Sequence, residues 1–252
     1  MTDTLSLRHD GSLRMLLLNR RDHRNALTRQ MIIGLADQCE QVSADPEARL
    51  LVLGAVGVDF CTGLDLDEFY ASANASDEEL RADTDQLARL LGAVDRCPLP
   101  TVALVQGRAY GIGATLALSC DVVLASTTST IAWPEASYGF LPAFAAARLN
   151  GLVGRPAAFE ILATGRTLSA EEGRALGLVS RVIPEEGFHA VTGSCLKALG
   201  RTAEVLLELK RLFREVAGQQ FSQALPACAE ASLRARQSTV FRDAAAQFLD
   251  MS

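Results

Sequence analysis

The sequence predicts an α/β fold whose front part alternates strands and helices and whose C-terminal part is helical. Three observations carry this reading. Short runs rich in Leu and Val recur at residues 13–18, 50–53, 101–105 and 121–125, and breaks such as Gly54 and Gly107 follow them. Between them, apolar residues fall at three- and four-residue spacing, as on one face of a helix. From residue 156 onward helical windows succeed one another with one strand between them.

Taken in order, residues 5–8 and 13–18 read as strands joined by the Asp10-Gly11 turn. Thr28 can cap a helix in which Met31, Leu35, Cys39 and Val42 share a face, and Asp45-Pro46 ends it. Residues 50–53 form a buried strand, 60–63 a tight loop and 65–70 a short helix. The polar stretch 74–79 reads as a loop and 79–94 as an amphipathic helix stopped at Cys97-Pro98. A strand at 101–105, a buried helix at 113–119 and a strand at 121–125 follow. Helices are expected at 156–163, 169–176, 188–199, 203–216, 221–235 and 239–249, with Gly177 separating the second from a strand at 178–183. Ser169 and Glu172 stand at capping-box spacing, though the run behind them is short. The expected organisation is a core over residues 1–190 and a helical region over 191–252.

A chain of 252 residues buries roughly 70–75% of its unfolded surface, so it needs no disulfide or metal staple. Lys and Arg number 24 against 30 Asp and Glu, and this acidic balance argues against general nucleic-acid binding. The best apolar stretch, 101–120, is broken by Gln106 and Arg108, so no membrane span is expected. The early apolar run Met15-Leu-Leu-Leu18 lies between Arg14 and Arg20, unlike a signal peptide. Six cysteines without a C-x-x-C pair and three scattered histidines imply free thiols in a cytoplasmic setting and no metal site.

Three elements can carry chemistry. Gly111-Ile-Gly113 sits between a strand and a helix, but Leu116 stands where a dinucleotide fingerprint has its third glycine. Such a turn either packs a helix tightly on a sheet or offers N–H groups and a helix dipole to an oxyanion. Phe60-Cys-Thr-Gly63-Leu64 is a second glycine loop after a strand, and two such loops can aim two N–H groups at one oxygen. Glu135, in Trp133-Pro-Glu135, has Tyr138, Phe140 and Leu141 nearby. It reads either as an acid with a pKa raised by an apolar pocket or as an exposed loop residue.

In this order, these elements resemble the crotonase superfamily, the enoyl-CoA hydratase/isomerase family. The resemblance spans nearly the whole chain. It includes Leu18-Asn-Arg-Arg, Arg24-Asn-Ala-Leu27, Phe60-Cys-Thr-Gly63, Tyr110-Gly-Ile-Gly-Ala-Thr115, Trp133-Pro-Glu135, Leu162-Ala-Thr-Gly-Arg166 and Gly177-Leu-Val-Ser-Arg-Val-Ile-Pro184. It implies a crotonase-like spiral of ββα units with a helical C-terminal region. It also implies acyl thioester substrates on coenzyme A or a carrier protein, no further cofactor, and a homotrimer or hexamer. By position the oxyanion donors are the amides of Leu64 and Ile112. Arg20, Arg24 and Ala26 fall in the loop that meets the nucleotide, although a solvated surface is an equal reading of the two arginines.

The chain departs from the family at Thr115, where hydratases carry their first glutamate. A threonine hydroxyl is no base near neutral pH, which leaves Glu135 as the one catalytic acid. The family's single-glutamate isomerases move a proton from C2 to C4 of a 3-enoyl thioester, and that reaction fits best. The run Leu141-Pro-Ala-Phe-Ala-Ala-Ala147 resembles instead hydratases or dehydratases of 3-methylglutaconyl-type thioesters. A crotonase homologue that binds thioesters or partner proteins without turnover is the third reading. At Asp243-Ala-Ala-Ala-Gln-Phe248 the family carries E-G-x-x-A-F and then a basic segment, absent here, so a weaker nucleotide grip or a carrier-protein handle is expected.

Overall fold

The computed structural model describes residues 4–250, with side chains through residue 246. The chain opens with the hairpin β1 (Leu5–Asp10) and β2 (Leu13–Leu18), then α1 (Arg29–Ala44), β3 (Leu50–Ala55), α2 (Leu66–Ala71) and α3 (Asp77–Asp95). Next come β4 (Thr101–Val105), β5 (Arg108–Tyr110), α4 (Ile112–Leu118), β6 (Val122–Ser126) and β7 (Thr130–Ala132). They are followed by α5 (Ala143–Val153), α6 (Arg155–Thr164), β8 (Leu168–Ser169), α7 (Ala170–Ala175) and β9 (Arg181–Ile183). The helices α8 (Phe188–Arg201), α9 (Ala203–Glu215), α10 (Phe221–Gln237) and α11 (Thr239–Asp250) complete the described chain.

The long sheet runs β1-β2-β3-β4-β6-β9, antiparallel in the hairpin and parallel thereafter. A short second sheet runs β5-β7-β8. The bridge Cys61↔Ala109 extends it, and Leu27↔Leu64 adds a further bridge alongside. Successive turns therefore give one strand to the long sheet, one short extended piece to the second layer, and then a helix. This is the spiral of ββα units expected from the sequence.

Strand alternation divides the core. Leu51, Leu53, Ala103, Val105, Val123 and Ala125 face α1 and α3, packing with Met31, Leu35, Leu90 and Val94. Leu50, Val52, Val102, Leu104 and Leu124 face the other way, onto Phe188 and Leu196 of α8. The expected boundary at residue 190 thus falls inside a helix that covers the central sheet. The expected C-terminal region, 191–252, also runs past the described residues.

Thr28 caps α1 as expected, accepting from the Met31 amide. The stretch 74–79 is corrected. Ser76 and Glu79 form a reciprocal capping box, so α3 begins at Asp77 within the expected loop. At Ser169 only the forward half of the box forms, because the Glu172 carboxylate turns to Arg166 instead. The expected strand at 178–183 shortens to Arg181–Ile183, because the amides of Leu178 and Val179 close α7 through the Gly173 carbonyl.

A buried cation ties α9 to the sheet. Lys210 Nζ donates to the Leu99 carbonyl at 2.8 Å and to Asp121 Oδ2 at 2.6 Å. The same Asp121 oxygen accepts from the Thr101 amide at 2.7 Å. Removing a partner leaves a buried charge short of its counter-ion. Asp121→Asn should lower stability by about 2 kcal/mol, tempered by the partial exposure of Asp121. Urea denaturation that shows less than about 0.5 kcal/mol of change, within the range of ordinary surface substitutions, would count against this anchor.

Candidate active site

The two glycine loops lie side by side because their backbones pair. The Cys61 amide donates to the Arg108 carbonyl at 3.0 Å, and the Tyr110 amide returns to the Cys61 carbonyl at 2.9 Å. Gly113 allows this approach, since a Cβ there would stand 2.6 Å from the Cys61 carbonyl oxygen. The glycine turn thus does serve close packing, and it also orients an amide.

Register explains why the Leu64 N–H is available. Leu27 donates to the Gly63 carbonyl at 2.8 Å and accepts from the Asp65 amide at 2.9 Å, so it brackets Leu64 with both of its own groups. In a parallel ladder the bracketed residue points its own N–H and C=O the other way. The Ile112 N–H opens α4, where a first-turn amide has no carbonyl a turn behind it. Among the described residues, neither amide donates to a backbone carbonyl of the surrounding loops and turns. Both residues line a cavity of about 650 Å³, together with Glu135, Thr115 and Arg24.

Glu135 sits in a short 3-10 turn, Pro134–Tyr138, which opens with proline and closes at the left-handed Gly139. The Gly111 amide donates to the Ala132 carbonyl at 2.8 Å and brings the α4 loop against this turn. Gly111 adopts φ +55°, and a Cβ on it would lie 2.8 Å from Glu135 Oε1. Glycine, at this positive φ, leaves room for the carboxylate beside the α4 loop. Glu135 Oε2 is buried with no hydrogen-bond partner among the described residues. Burial lifts its carboxyl above the usual carboxylate range, and a backbone hydrogen bond only partly offsets that. Trp133 is fully buried, whereas Tyr138, Phe140 and Leu141 line the cavity while remaining exposed.

Thr115 is 2% exposed. Its hydroxyl accepts from Trp133 Nε1 at 3.0 Å and reaches the Gly111 carbonyl at 3.1 Å. Arg20 and Ala26, expected near the nucleotide, lie beside this cavity rather than on it. The Arg20 guanidinium is paired with Asp65 at 2.6 Å and with the Ala26 carbonyl at 3.1 Å. Arg24 does line the cavity. So does Arg108, which sequence reasoning missed because a three-residue strand leaves no pattern to read. The Cys61 thiol is fully buried under the loops, and burial pushes it up to about 12, so it is no nucleophile. Among the described residues, no cluster of His, Cys, Asp and Glu could hold a metal ion, and no helix is long and apolar enough to cross a membrane.

The family model for enoyl-CoA hydratase/isomerase matches residues 8–248. The chain belongs to the enoyl-CoA hydratase/isomerase family. It is 33% identical over 214 residues to the mitochondrial enoyl-CoA hydratase domain-containing protein 3 of Danio rerio, covering 85% of this chain and 72% of the other. It is 34% identical over 203 residues to an enoyl-CoA isomerase/hydratase of Mycosarcoma maydis, covering 76% of this chain and 70% of the other. The crystal structure of an enoyl-CoA hydratase from Mycobacterium smegmatis superposes with a TM-score of 0.91 at 26% identity, covering 98% of this chain and 96% of that one. The spiral is therefore the crotonase fold of this family.

The raised pKa of Glu135 has a consequence for stability. The folded state holds this proton more tightly than the unfolded chain does. Its contribution is therefore full below the unfolded pKa and is lost as pH rises through the folded one. Once pH exceeds the folded value, the ionised carboxylate destabilises the fold. Glu135→Gln should raise the melting temperature at pH 8, and the difference should shrink toward pH 4. A lower melting temperature at pH 8 would contradict the buried, unpartnered placement.

Proposed function

We propose that this enoyl-CoA hydratase/isomerase family member isomerises 3-enoyl thioesters of coenzyme A to 2-enoyl thioesters. The observation that carries the proposal is the buried, unpartnered Oε2 of Glu135, with the only other polar group at a hydratase-acid position already engaged. The thioester carbonyl oxygen sits between the Leu64 and Ile112 N–H groups. Glu135 takes a proton from C2, and the C–H electron pair moves into conjugation with the carbonyl, giving a dienolate. The two amides stabilise its oxygen; one such donor is worth roughly 3–4 kcal/mol. Glu135 then returns the proton to C4, leaving the double bond between C2 and C3. A carboxylate raised toward neutrality suits both directions of transfer.

The acyl group is a hydrocarbon chain. A second cavity of about 340 Å³ shares Leu64, Phe69, Leu87 and Phe140 with the first and continues it between α1, α2 and α3. Arg29 is the one cation lining this extension among the described residues, and Asp83 and its own exposure already satisfy it. No free cation there meets the distal carboxylate of a 3-methylglutaconyl group, which favours isomerisation of plain chains over that hydratase reading. Arg24 and Arg108 are the cations on the first cavity, Arg108 only loosely paired with Asp59 at 3.9 Å, and they serve the anionic handle. The chain assembles as a homotrimer or a dimer of trimers. Support comes from Val205 and Phe213 on α9, Phe221 and Leu225 on α10 and Phe241 on α11, all exposed, since such apolar surface marks association.

Incubation in D₂O with 3-enoyl-, 2-enoyl- and 3-methylglutaconyl-CoA tests the chemistry. Double-bond migration with deuterium uptake is expected on plain chains, and Glu135→Gln should lower it by about 10³-fold. Hydration without migration would favour the hydratase. Binding without exchange on any thioester would favour a binding protein. Sedimentation should give a trimer or hexamer, and monomer alone at micromolar concentration would refute the assembly.

A further inference from the structure

We infer that Trp133 and Thr115 are positioning residues that aim and strengthen the Ile112 oxyanion donor through the Gly111 carbonyl. The inference rests on the oxyanion-hole reading above. Its basis is a chain of hydrogen bonds whose direction is fixed by chemistry. An indole N–H only donates, so Thr115 Oγ1 accepts from Trp133 Nε1 at 3.0 Å. A carbonyl only accepts, so the threonine proton goes to the Gly111 oxygen at 3.1 Å. That oxygen also accepts the Thr115 amide at 3.1 Å.

The Gly111 carbonyl and the Ile112 N–H belong to one peptide group. A trans peptide is planar and points its C=O and N–H in opposite directions. Two donors that hold the oxygen toward the body of α4 therefore hold the N–H outward, into the cavity that Ile112 lines. The preceding peptide is fixed as well, by the Gly111 amide on Ala132. Gly111 would otherwise be the softest point of the loop, because glycine has the widest backbone freedom. The relay also polarises. Each bond in a chain of buried donors strengthens the next, so a more polarised Gly111 carbonyl makes the Ile112 N–H a better donor. Trp133 is fully buried and Thr115 nearly so, and water does not compete for these groups.

The loss of the family's first acid thus accompanies a gain. The side chain at 115 faces an indole donor and braces the oxyanion loop rather than handling a proton of its own.

The test compares wild type, Thr115→Val, Thr115→Ser and the double variant Trp133→Phe/Thr115→Val, which leaves no buried indole N–H without an acceptor. The readouts are kcat and KM for 3-enoyl-CoA and the infrared stretch of a ¹³C-labelled thioester carbonyl in bound 2-enoyl-CoA. Thr115→Val should lower kcat about tenfold, or about 1.4 kcal/mol, with KM within twofold. The red-shift of the bound carbonyl should at least halve. Thr115→Ser should restore both, and the double variant should match Thr115→Val while keeping its circular dichroism spectrum. If wild type exchanges no deuterium and polarises no carbonyl, the thioester reading itself fails. If wild type is active and Thr115→Val equals it in kcat and carbonyl frequency, the site stands and the relay is overturned. A rise in KM with kcat unchanged overturns it too.

Discussion

The site depends on one constraint: two glycine loops pair so that Leu64 and Ile112 line one cavity, and among the described residues neither amide donates to a backbone carbonyl of the surrounding loops. Proteins satisfy nearly all buried N–H groups, so leaving two open requires a reason at each. At Leu64 the reason is register, because Leu27 binds both neighbours of that residue and turns its own groups outward. At Ile112 it is position, because the first turn of a helix has no carbonyl behind it. The spiral brings the two together by pairing Cys61 with β5. Everything else in the centre follows from this pairing. Gly113 permits the approach, Gly111 leaves room for the acid, and the Ala132 carbonyl draws the acid's turn alongside.

Glu135 extends the same logic. A carboxylate oxygen with no partner is costly in a folded protein. Here the residue lines a cavity, and burial raises its carboxyl above the usual carboxylate range. Thr115 sits within reach of the same loop but has both of its hydrogen bonds committed inward. One group is left without a partner and the other is satisfied, and the proposed division of roles rests on that asymmetry.

Much of this was legible in the chain. The long strands and helices follow from apolar periodicity, and Thr28 and Gly177 were readable as punctuation because capping chemistry is local. Order, spacing and the family resemblance point to Glu135, Leu64 and Ile112, and all three line one cavity. What was missed is short or non-local. The strands β5, β7 and β8 span two or three residues and exist only because the spiral lays them together. The pairing of Arg20 with Asp65 spans 45 residues and leaves no local signal. The indole–hydroxyl contact of Trp133 and Thr115 crosses 18 residues and leaves no periodic trace. The capping box at Ser76 is local, but a polar stretch reads equally as a loop.

The division of labour between backbone and side chains in the cavity has one more consequence. In the proposed mechanism the groups that polarise the thioester belong to the peptide chain, whereas the Leu64, Phe69 and Phe140 side chains line the room beyond it. Substitutions that resize that room need not disturb the electrophile's cradle. Selectivity for chain length and catalytic power can therefore drift independently over evolutionary time, and a new substrate can be acquired without first losing the old reaction.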